Sequence, residues 1–298
     1  MRASVAAPAP VEVPTLRRGL AASVLRTRGG QIGLAMVTAM ILITFVGPLF
    51  APYSPVQSGT GPPASGPSAQ HLLGTDALGR DVLSRVLDGG RGLVLVPLLA
   101  VSGAYALGAT LGVTAAYRGG RVDRLIARGF DILLTFPPLL LVLVVIAGLG
   151  TSVAVVVLTV MFVFLPRAGR VCRGTAQAVC VEDYVTAAHA RGDRDAWVMA
   201  REILPNIAAP TLSDYALRTT YAITFVATLN FLGLGAQPPD PDWGLMIAEN
   251  RSILPVAPLS VLSPAAAVAL LAVGLNLVAE ALARHWAADT TSSQGVVL

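Results

Sequence analysis

The chain has 298 residues, of which 54% are hydrophobic and only 13% are charged, and its formal net charge is +4. Soluble domains average about 25% charged residues, so this composition excludes an ordinary soluble protein and indicates one that crosses a membrane several times. All 21 basic residues are arginines. Because a Walker A loop uses a lysine to reach the terminal phosphates of a nucleotide, the chain cannot contain one, and any ATP that drives its activity must bind to another chain.

Long uncharged stretches predict an all-α membrane protein with six transmembrane helices, since a helix needs roughly 17–25 residues to cross the hydrocarbon core. The predicted spans lie near residues 33–50, 92–117, 132–149, 153–171, 211–234 and 261–283. Together they place the transmembrane domain at residues 31–286. Residues 1–30, rich in Ala and Pro and then in Arg, predict an N-terminal tail, and the polar residues 287–298 predict a C-terminal tail.

The centres of the predicted spans contain no ionisable residues. Proton- and sodium-coupled transporters usually need a carboxylate inside the membrane, so this pattern argues against that class and against an intramembrane enzyme. Asp214 and Arg218 are placed near the start of the fifth span, where they are expected to pair on one face. Cys172 and Cys180 are expected to be small packing residues, because neither a C-x-x-C pair nor a histidine cluster accompanies them.

Small residues recur in the second predicted span, for example at Gly108 and Gly112. In a membrane, no hydrophobic effect drives two helices together, so their association depends on close backbone packing, which small residues permit. We therefore expect another helix to pack closely here. The next residues, 118–128, are basic and predict a short loop. Pro137 and Pro138 are expected to delay or kink the third span.

Two further polar regions lie between predicted spans. Residues 51–70 are rich in Pro, Gly and Ser and predict an extended loop. From Asp81 onward the apolar residues share one helical face, which predicts a short helix along the membrane surface. That helix is either a partner site or a simple lead-in to the next span. Residues 236–258 are polar and proline-rich, and a short helix is expected at Trp243–Asn250.

The arginines predict the orientation of the chain. With both termini in the cytoplasm, 16 of the 21 arginines fall in cytoplasmic segments. Arg218 is assigned to a span boundary. Only Arg80, Arg85, Arg91 and Arg251 fall in the outer loops. Because cytoplasmic loops of membrane proteins carry the excess of positive residues, this orientation is favoured over its reverse.

Residues 182–206, which we name the interhelical segment, form a long polar block between two apolar spans. They predict two short helices separated by a turn. Asp183 is expected to cap the first helix and Asp193 the second, with Gly192 in a left-handed conformation between them. Pro205 is expected to end the second helix, because proline is poorly tolerated inside a helix. Helices this short cannot form their own core, so we expect the segment to dock on another surface.

The interhelical segment resembles the EAA loop of the membrane subunits, or permeases, of bacterial ABC importers. The matching positions are Ala187, Ala188, Gly192, Leu204 and Pro205. Thr186 stands where that motif has its glutamate, although Glu182 and Asp183 lie one turn upstream. The resemblance implies a cytoplasmic coupling helix, with Ala187 and Ala188 buried in a groove of an ATPase subunit. The residues implied in this coupling are Asp183, Thr186, Ala187, Ala188, Arg191, Gly192, Leu204 and Pro205.

Two more stretches resemble the peptide/nickel branch of these permeases, specifically the C-type subunit of dipeptide and oligopeptide importers. Residues 71–85 read HLLGTDALGRDVLSR, which is similar to that branch's GTDxLGRD motif, and residues 230–244 are similar to its segment before the last span. The positions of the first motif are Gly74, Thr75, Asp76, Gly79, Arg80 and Asp81. Nearby, His71, Asp81 and Ser84 form no recognisable catalytic triad. The resemblance covers about residues 30–286.

The resemblance implies the type I ABC importer permease fold and a non-catalytic subunit in the bacterial cytoplasmic membrane. ATP and Mg are expected on partner ATPase chains, with no cofactor or metal on this chain. The implied partners are a homologous second permease, two ATPase subunits or domains, an extracytoplasmic substrate-binding protein, peptide substrate and membrane lipid, but no nucleic acid. The leading hypothesis is a permease subunit that forms half of the translocation path for di- or oligopeptides, and the alternative cargoes are nickel and glutathione. The alternative is a channel or facilitator that works alone and needs no docking segment.

Overall fold

The computed structural model describes residues 24–294 except Arg26, with side chains described as far as Arg284. Most of the predicted tail at residues 1–30, and residues 295–298, therefore lie outside the described residues. The described part of the chain is helical, and its extended pairing amounts to an isolated bridge between Thr75 and Asp81. The all-α prediction is confirmed.

The helices are numbered in chain order. They are α1 (Arg28–Val46), α2 (Val82–Asp88), α3 (Arg91–Arg118), α4 (Gly120–Thr135), α5 (Pro138–Leu149), α6 (Val153–Val179), α7 (Asp183–Ala190), α8 (Asp195–Val198), α9 (Leu204–Phe231), α10 (Trp243–Asn250) and α11 (Leu259–Gln294). A 3-10 turn, Gly47–Phe50, extends α1, and another, Arg251–Ile253, follows α10. A π-helical turn, Met199–Ile203, joins α8 to α9.

The chain is a multi-pass membrane protein. Within the described residues, four stretches are long and apolar enough to cross a membrane: Arg28–Phe50, Val82–Arg118, Val153–Val179 and Leu259–Arg284. Helices α4 and α5, which meet at 85°, would supply a fifth crossing if the bent pair counts as one span. Helix α9 has 28 residues but is not among these apolar stretches. The predicted count of six spans is therefore not confirmed.

The third predicted span is a broken helix. The chain changes direction at Phe136 and Pro137, whose backbones are extended, and α5 then begins at Pro138. A proline is tolerated at the first position of a helix because the N–H that it lacks would have no partner there. The expectation that the proline pair delays or kinks the span is confirmed.

The prediction of a loop at residues 118–128 is wrong, because these residues belong to the end of α3 and to α4. Tertiary contacts hold them in a helix. Phe130 is 3% exposed and lies directly against Gly169 of α6. The guanidinium of Arg173 in α6 donates to both carboxylate oxygens of Asp123. The helix is thus fixed by its packing on α6, which a count of basic residues does not reveal.

Glycines let the long helices approach closely. A Cβ at Gly108 would lie 2.9 Å from the backbone nitrogen of Gly169, and one at Gly112 would lie 2.5 Å from its carbonyl oxygen. The backbones of α3 and α6 therefore touch, as predicted from the small residues of the second span. Gly33 of α1 lies in the same way against Gly274 of α11.

The main core lies where α3, α5, α6, α9, α10 and α11 meet. Large apolar side chains remain exposed along α1 and α5, for example Leu42 and Val144. Such surfaces suit lipid contact in a protein whose helices cross a membrane. Two helices run beyond their predicted ends: α6 continues to Val179, and α11 continues to Gln294 through the start of the predicted C-terminal tail. Helix α10 has the bounds predicted for it.

Candidate functional site

The interhelical segment joins the end of α6 to the start of α9. Its first helix, α7, has eight residues, and the chain then turns at Gly192, whose φ angle is +79°. The prediction of a left-handed glycine here is confirmed. No atom lies within 4 Å of the place where a Cβ of Gly192 would stand. The turn therefore requires glycine for its backbone conformation rather than for space.

One face of the segment packs on the body of the chain. Val185 and Ala188 are 1% and 0% exposed and point to the same side of α7. They join a second apolar cluster that includes Val113, Cys172, Ala176, Val198, Ile203 and Ile207. The expectation that Ala188 fills a groove of a partner is therefore wrong, because its side chain is already buried within the chain. Ala187 points away from the cluster and is exposed.

The helix caps differ from those predicted. Glu182 occupies the N-cap of α7 without a side-chain hydrogen bond there, and Asp183 is the first helical residue. Arg194 precedes α8. Asp193 instead accepts hydrogen bonds from Nε and Nη2 of Arg191, at 3.2 and 2.9 Å. The Arg191–Asp193 pair lies across the turn at Gly192. Asp193 therefore stabilises this turn and Asp183 lies in the first turn of α7, and neither residue is a helix cap.

The prediction that Pro205 ends a helix is wrong. Leu204 has helical angles, φ −54° and ψ −45°, and Pro205 lies in the first turn of α9. In the preceding π-helical turn, the N–H of Leu204 donates to the carbonyl of Met199, five residues back. The wider turn relieves the clash that a proline ring makes with the carbonyl four residues before it. The interhelical segment thus continues into α9 without a break.

Tyr117, at the end of α3, ties the segment to the helix bundle. Its ring stacks on His189 of α7, with centroids 5.2 Å apart. Its hydroxyl donates to Asp195 of α8 at 3.2 Å. A displacement of the short helices therefore acts on α3 through these contacts, and on α6 and α9 through the chain itself.

The opposite face of the segment is exposed. Tyr184 is 38% exposed and Trp197 is 45% exposed, so this face carries aromatic surface. The predicted residues that the structure leaves exposed are Asp183, Thr186, Ala187, Arg191, Gly192, Leu204 and Pro205. Aromatic residues and arginine are enriched where proteins bind one another, so the face has the composition of a protein-binding surface.

At the opposite end of α6, residues 51–90 and 235–258 form a region that we name the polar lobe. Gly74 and Gly79 have φ angles of +79° and +69° and turn the predicted motif into a tight loop. A Cβ at Gly79 would lie 2.4 Å from the carbonyl oxygen of Gly61. These glycines are therefore required by the shape of the loop.

The centre of the polar lobe is a network of four charged side chains, three of them buried and the fourth, Glu249, partly exposed. Asp76, which is fully buried, lies 3.7 Å from Nε of Arg85 and pairs with Arg80. Glu249 of α10 lies 2.7 Å from Arg80 and 3.1 Å from Arg85. Arg85 is also fully buried, so this side of α2 packs within the lobe. The position of α2 along the membrane surface stays a prediction. The network binds the motif loop to α2 and α10.

Asp81 organises the neighbouring residues. One of its oxygens accepts hydrogen bonds from the N–H and hydroxyl of Ser84, at 2.8 and 2.7 Å, and the other lies 2.9 Å from Nδ1 of His71. The carboxylate thus separates the histidine from the serine, which is not the geometry of a nucleophile and its base. Thr75 donates to the carbonyl of Pro62. These contacts hold the loop in place.

Helix α10 closes the lobe. Trp243 is fully buried, and its Nε1 donates to the carbonyl of Val86 at 2.8 Å. Asp242 caps the helix, with Oδ1 accepting from the N–H groups of Gly244 and Leu245. Its Oδ2 is buried without a hydrogen-bond partner among the described groups. Burial raises the pKa of Asp242 above its ordinary value.

A cavity of about 800 Å³, open on one side at the surface of the chain, is lined by α5, α6 and α9. Phe164 and Phe225 contribute apolar surface, whereas Arg167, Arg218 and Thr224 contribute polar groups. The two arginines lie near the middle of α6 and α9, because both helices run beyond the spans predicted for them.

Comparisons with known proteins identify the family. Residues 108–291 match the family described as "binding-protein-dependent transport system inner membrane component". Residues 23–65 match the "N-terminal TM domain of oligopeptide transport permease C". The chain belongs to the first of these families. It is therefore a membrane component of a binding-protein-dependent transport system.

Relatives of this membrane component match most of its length. The dipeptide transport system permease protein DppC of Alkalihalophilus pseudofirmus is 38% identical over 251 residues, which is 84% of this chain and 83% of the relative. DppC of Haemophilus influenzae is 35% identical over 263 residues, 86% and 89% of the two chains. The glutathione transport system permease protein GsiD of Pectobacterium atrosepticum is 37% identical over 217 residues, 73% and 72% of the two chains.

Several residues of the candidate sites do not stand out in the sequence. Arg167 and Arg218 fall inside the fourth and fifth predicted spans, but hydropathy does not show that both line one cavity. Glu249 lies 164 residues from Arg85, and no local pattern connects them. One signal was present: Asp214 and Arg218 were predicted to pair, and they lie 3.1 Å apart.

Proposed function

We propose that this chain is one of two transmembrane permease subunits of an ATP-driven ABC importer in the bacterial cytoplasmic membrane, with di- and oligopeptides as cargo. The observation that carries the proposal is the interhelical segment. It is packed on one face, exposed on the other, and continuous with the long helices α6 and α9. A channel or facilitator that works alone has no need for such an element.

The exposed face of the segment is the proposed contact with the ATPase. Its contact residues are Asp183, Thr186, Ala187, Arg191, Gly192, Leu204 and Pro205. Tyr184 and Trp197 join them as aromatic anchors, the side chains that most often dominate binding energy at interfaces. Ala188 supports this face from beneath and does not touch the partner.

The proposed mechanism is alternating access. ATP and Mg bind the partner ATPases, whose closure moves the docked α7 and α8. That movement passes to α6 and α9 along the chain and to α3 through Tyr117. The ATPases must contact the two states of the permease differently, because a partner with equal affinity for both states shifts no equilibrium.

The proposed orientation places both termini and the interhelical segment in the cytoplasm and the polar lobe outside. The arginine imbalance supports it, and moving Arg167 from the cytoplasmic count to a helix centre leaves that imbalance in place. A cysteine substituted for Ser65 should then react with a membrane-impermeant reagent in intact cells. Reaction only after permeabilisation would show the opposite orientation.

The remaining partners follow from this topology. The polar lobe would receive an extracytoplasmic substrate-binding protein, and a homologous second permease would complete the path beside the cavity. Lipid would cover the exposed apolar faces. Peptide cargo is favoured because the relatives named for dipeptides cover larger shares of the chain than the glutathione relative does. Glutathione is the alternative cargo.

Proteoliposomes that contain the chain with its second permease, ATPases and binding protein test the proposal. ATP-dependent uptake of a labelled dipeptide should occur, and it should disappear when either the ATPases or the binding protein is omitted. The matched control is the same complex loaded with a non-hydrolysable ATP analogue. Equal uptake by liposomes that contain this chain alone would show a facilitator instead.

A further inference from the structure

The cavity between α5, α6 and α9 holds an unbalanced positive charge. Arg218 pairs with Asp214 at 3.1 Å, and the same carboxylate accepts a hydrogen bond from the hydroxyl of Tyr105. Arg167 has no such partner: it donates only to the carbonyl of Val163 in its own helix, and no carboxylate of the described residues lies within 4 Å of it. Two guanidinium groups therefore line the cavity, and one of them, Arg218, is paired with a carboxylate.

Both arginines lie far along their helices from the polar lobe, with partly exposed side chains. Val153 of α6 and Asn230, near the end of α9, line one small cavity of the polar lobe, so these helix ends lie on the same side. At 1.5 Å per residue, Arg167 is about 20 Å along α6 from that end and Arg218 is about 20 Å along α9 from Phe231. A guanidinium at such depth is costly unless it faces water or an anion. Arg167 faces the cavity.

We propose that Arg167 binds a carboxylate of the cargo as it passes through the path, with Arg218 as the second positive group. This inference rests on the proposed function. A guanidinium presents a planar fork of N–H donors that fits a carboxylate with two hydrogen bonds. The aromatic rings of Phe164 and Phe225 lie in the same cavity and suit apolar side chains. The volume, about 800 Å³, is in the range of small-molecule sites.

The chemistry selects among cargoes. Every peptide with a free C terminus carries a carboxylate, and glutathione carries two. A bare divalent cation would be repelled by two guanidinium groups that only Asp214 balances. Of the cargoes left open by the sequence, the cavity therefore fits those that bear carboxylates and does not fit nickel as a free ion.

The test uses the complete importer in proteoliposomes and two substrates, a labelled dipeptide and the same dipeptide amidated at its C terminus. The variants are Arg167→Lys, Arg167→Gln and Arg167→Glu. Loss of a charged hydrogen bond weakens binding by about tenfold or more, so Arg167→Gln should lower uptake of the free dipeptide by about that factor. Uptake of the amide should change by less than about twofold, because the amide lacks the carboxylate that Arg167 is proposed to bind. The binding protein is the same for the wild type and the variant, so its preference between the two peptides cancels when the variant is compared with the wild type. Uptake of the free peptide should fall in the order Lys, Gln, Glu.

The matched control is Arg170→Gln. Arg170 lies one turn along α6, is exposed, and already pairs with Asp131 of α4. This variant should keep wild-type uptake of both peptides.

Three outcomes would overturn the inference. Arg167→Gln could leave uptake of the free dipeptide unchanged. It could lower uptake of both peptides equally, with Arg167→Lys no better than Arg167→Gln, which would indicate a structural role. It could cost the complex its second permease on co-purification, which would show that the partner of Arg167 is protein.

If the wild-type complex shows no ATP-dependent peptide uptake at all, the proposed function itself fails. If the wild-type complex does not take up the amide, the inference is tested by uptake of the free dipeptide alone, which should fall in the order Arg167→Lys, Arg167→Gln, Arg167→Glu; any other order would overturn it.

Discussion

The polar lobe and the interhelical segment lie at opposite ends of α6 and use their polar residues in opposite ways. In the lobe, Asp76, Arg80 and Arg85 are almost fully buried, and their charges satisfy one another together with Glu249. In the interhelical segment, the buried residues are apolar and the charged and aromatic residues face outward.

The polar lobe satisfies its charged groups internally, whereas the interhelical segment leaves one face uncovered. Buried charges are stable only in one arrangement, because an unpaired buried charge costs several kcal/mol. The lobe therefore has a fixed shape, and its surface is suited to binding another protein. The interhelical segment is held by a small apolar cluster and leaves one face uncovered. That face is the proposed contact with the ATPases.

The largest expected effect is in the lobe. Arg85→Met leaves Asp76 and Glu249 with only Arg80 as counter-charge, so the free energy of unfolding should fall by about 3–5 kcal/mol. Arg170→Met removes an exposed pair and should cost less than about 1 kcal/mol. Thermal unfolding of the two purified variants checks the prediction. Equal losses would show that the buried network does not fix the lobe.

The next effect distinguishes two neighbouring alanines of the interhelical segment. Ala188→Leu forces a larger side chain into the apolar cluster and should destabilise the segment by about 1–3 kcal/mol. Ala187→Leu changes an exposed site and should shift stability by no more than about 0.5 kcal/mol. Limited proteolysis of the segment measures the two effects. A larger loss for Ala187→Leu would reverse the assignment of the faces.

Gly192 should show a smaller, purely conformational effect. Because nothing surrounds its missing Cβ, Gly192→Val is penalised only for its positive φ, by about 1–2 kcal/mol. Asparagine tolerates this conformation better, so Gly192→Asn should cost less. Hydrogen exchange of the α7 amides would report the difference. If both variants exchange at the wild-type rate, the turn does not depend on glycine.

The smallest effect concerns pH in the lobe. The raised pKa of Asp242 means that the folded protein holds this proton more tightly than the unfolded chain does. Its carboxylate therefore reduces stability, and the reduction grows as pH rises from the unfolded value near 3.8 through the higher folded pKa. Asp242→Asn keeps a good N-cap and should be more stable than the wild type at pH 8, by less than about 1 kcal/mol.

The Asp242→Asn advantage should shrink as pH falls toward 5. Thermal unfolding at pH 5 and pH 8 measures it. The measured quantity is the stability of Asp242→Asn minus that of the wild type. If this difference is smaller at pH 8 than at pH 5, the carboxylate of Asp242 does not reduce stability.

Local patterns predicted the parts of the fold that depend on local chemistry. The bounds of α10 follow from Asp242 and the apolar run after it, and the turn at Gly192 follows from the freedom of glycine. The close packing at Gly108 and Gly112 follows from their size and spacing.

Features that depend on distant contacts could not be predicted in this way. Helix α4 forms because Phe130 and Asp123 meet α6, and Pro205 is accommodated because a π-helical turn precedes it. The side of α7 that Ala188 occupies depends on a cluster drawn from five helices. Arg167 falls inside a predicted span, but hydropathy does not show that its side chain faces a cavity formed with two other helices.

The central claim is that the exposed face of the interhelical segment binds the ATPases. It is tested most directly by co-purification of the ATPases with Ala187→Leu, using Ala187→Ser as the matched variant that keeps a small side chain. Overpacking of about 1–3 kcal/mol at the contact should weaken ATPase binding by roughly fivefold to a hundredfold, while the second permease still co-purifies. Ala187→Ser should retain the ATPases. Normal ATPase stoichiometry and wild-type peptide uptake with Ala187→Leu would contradict the claim.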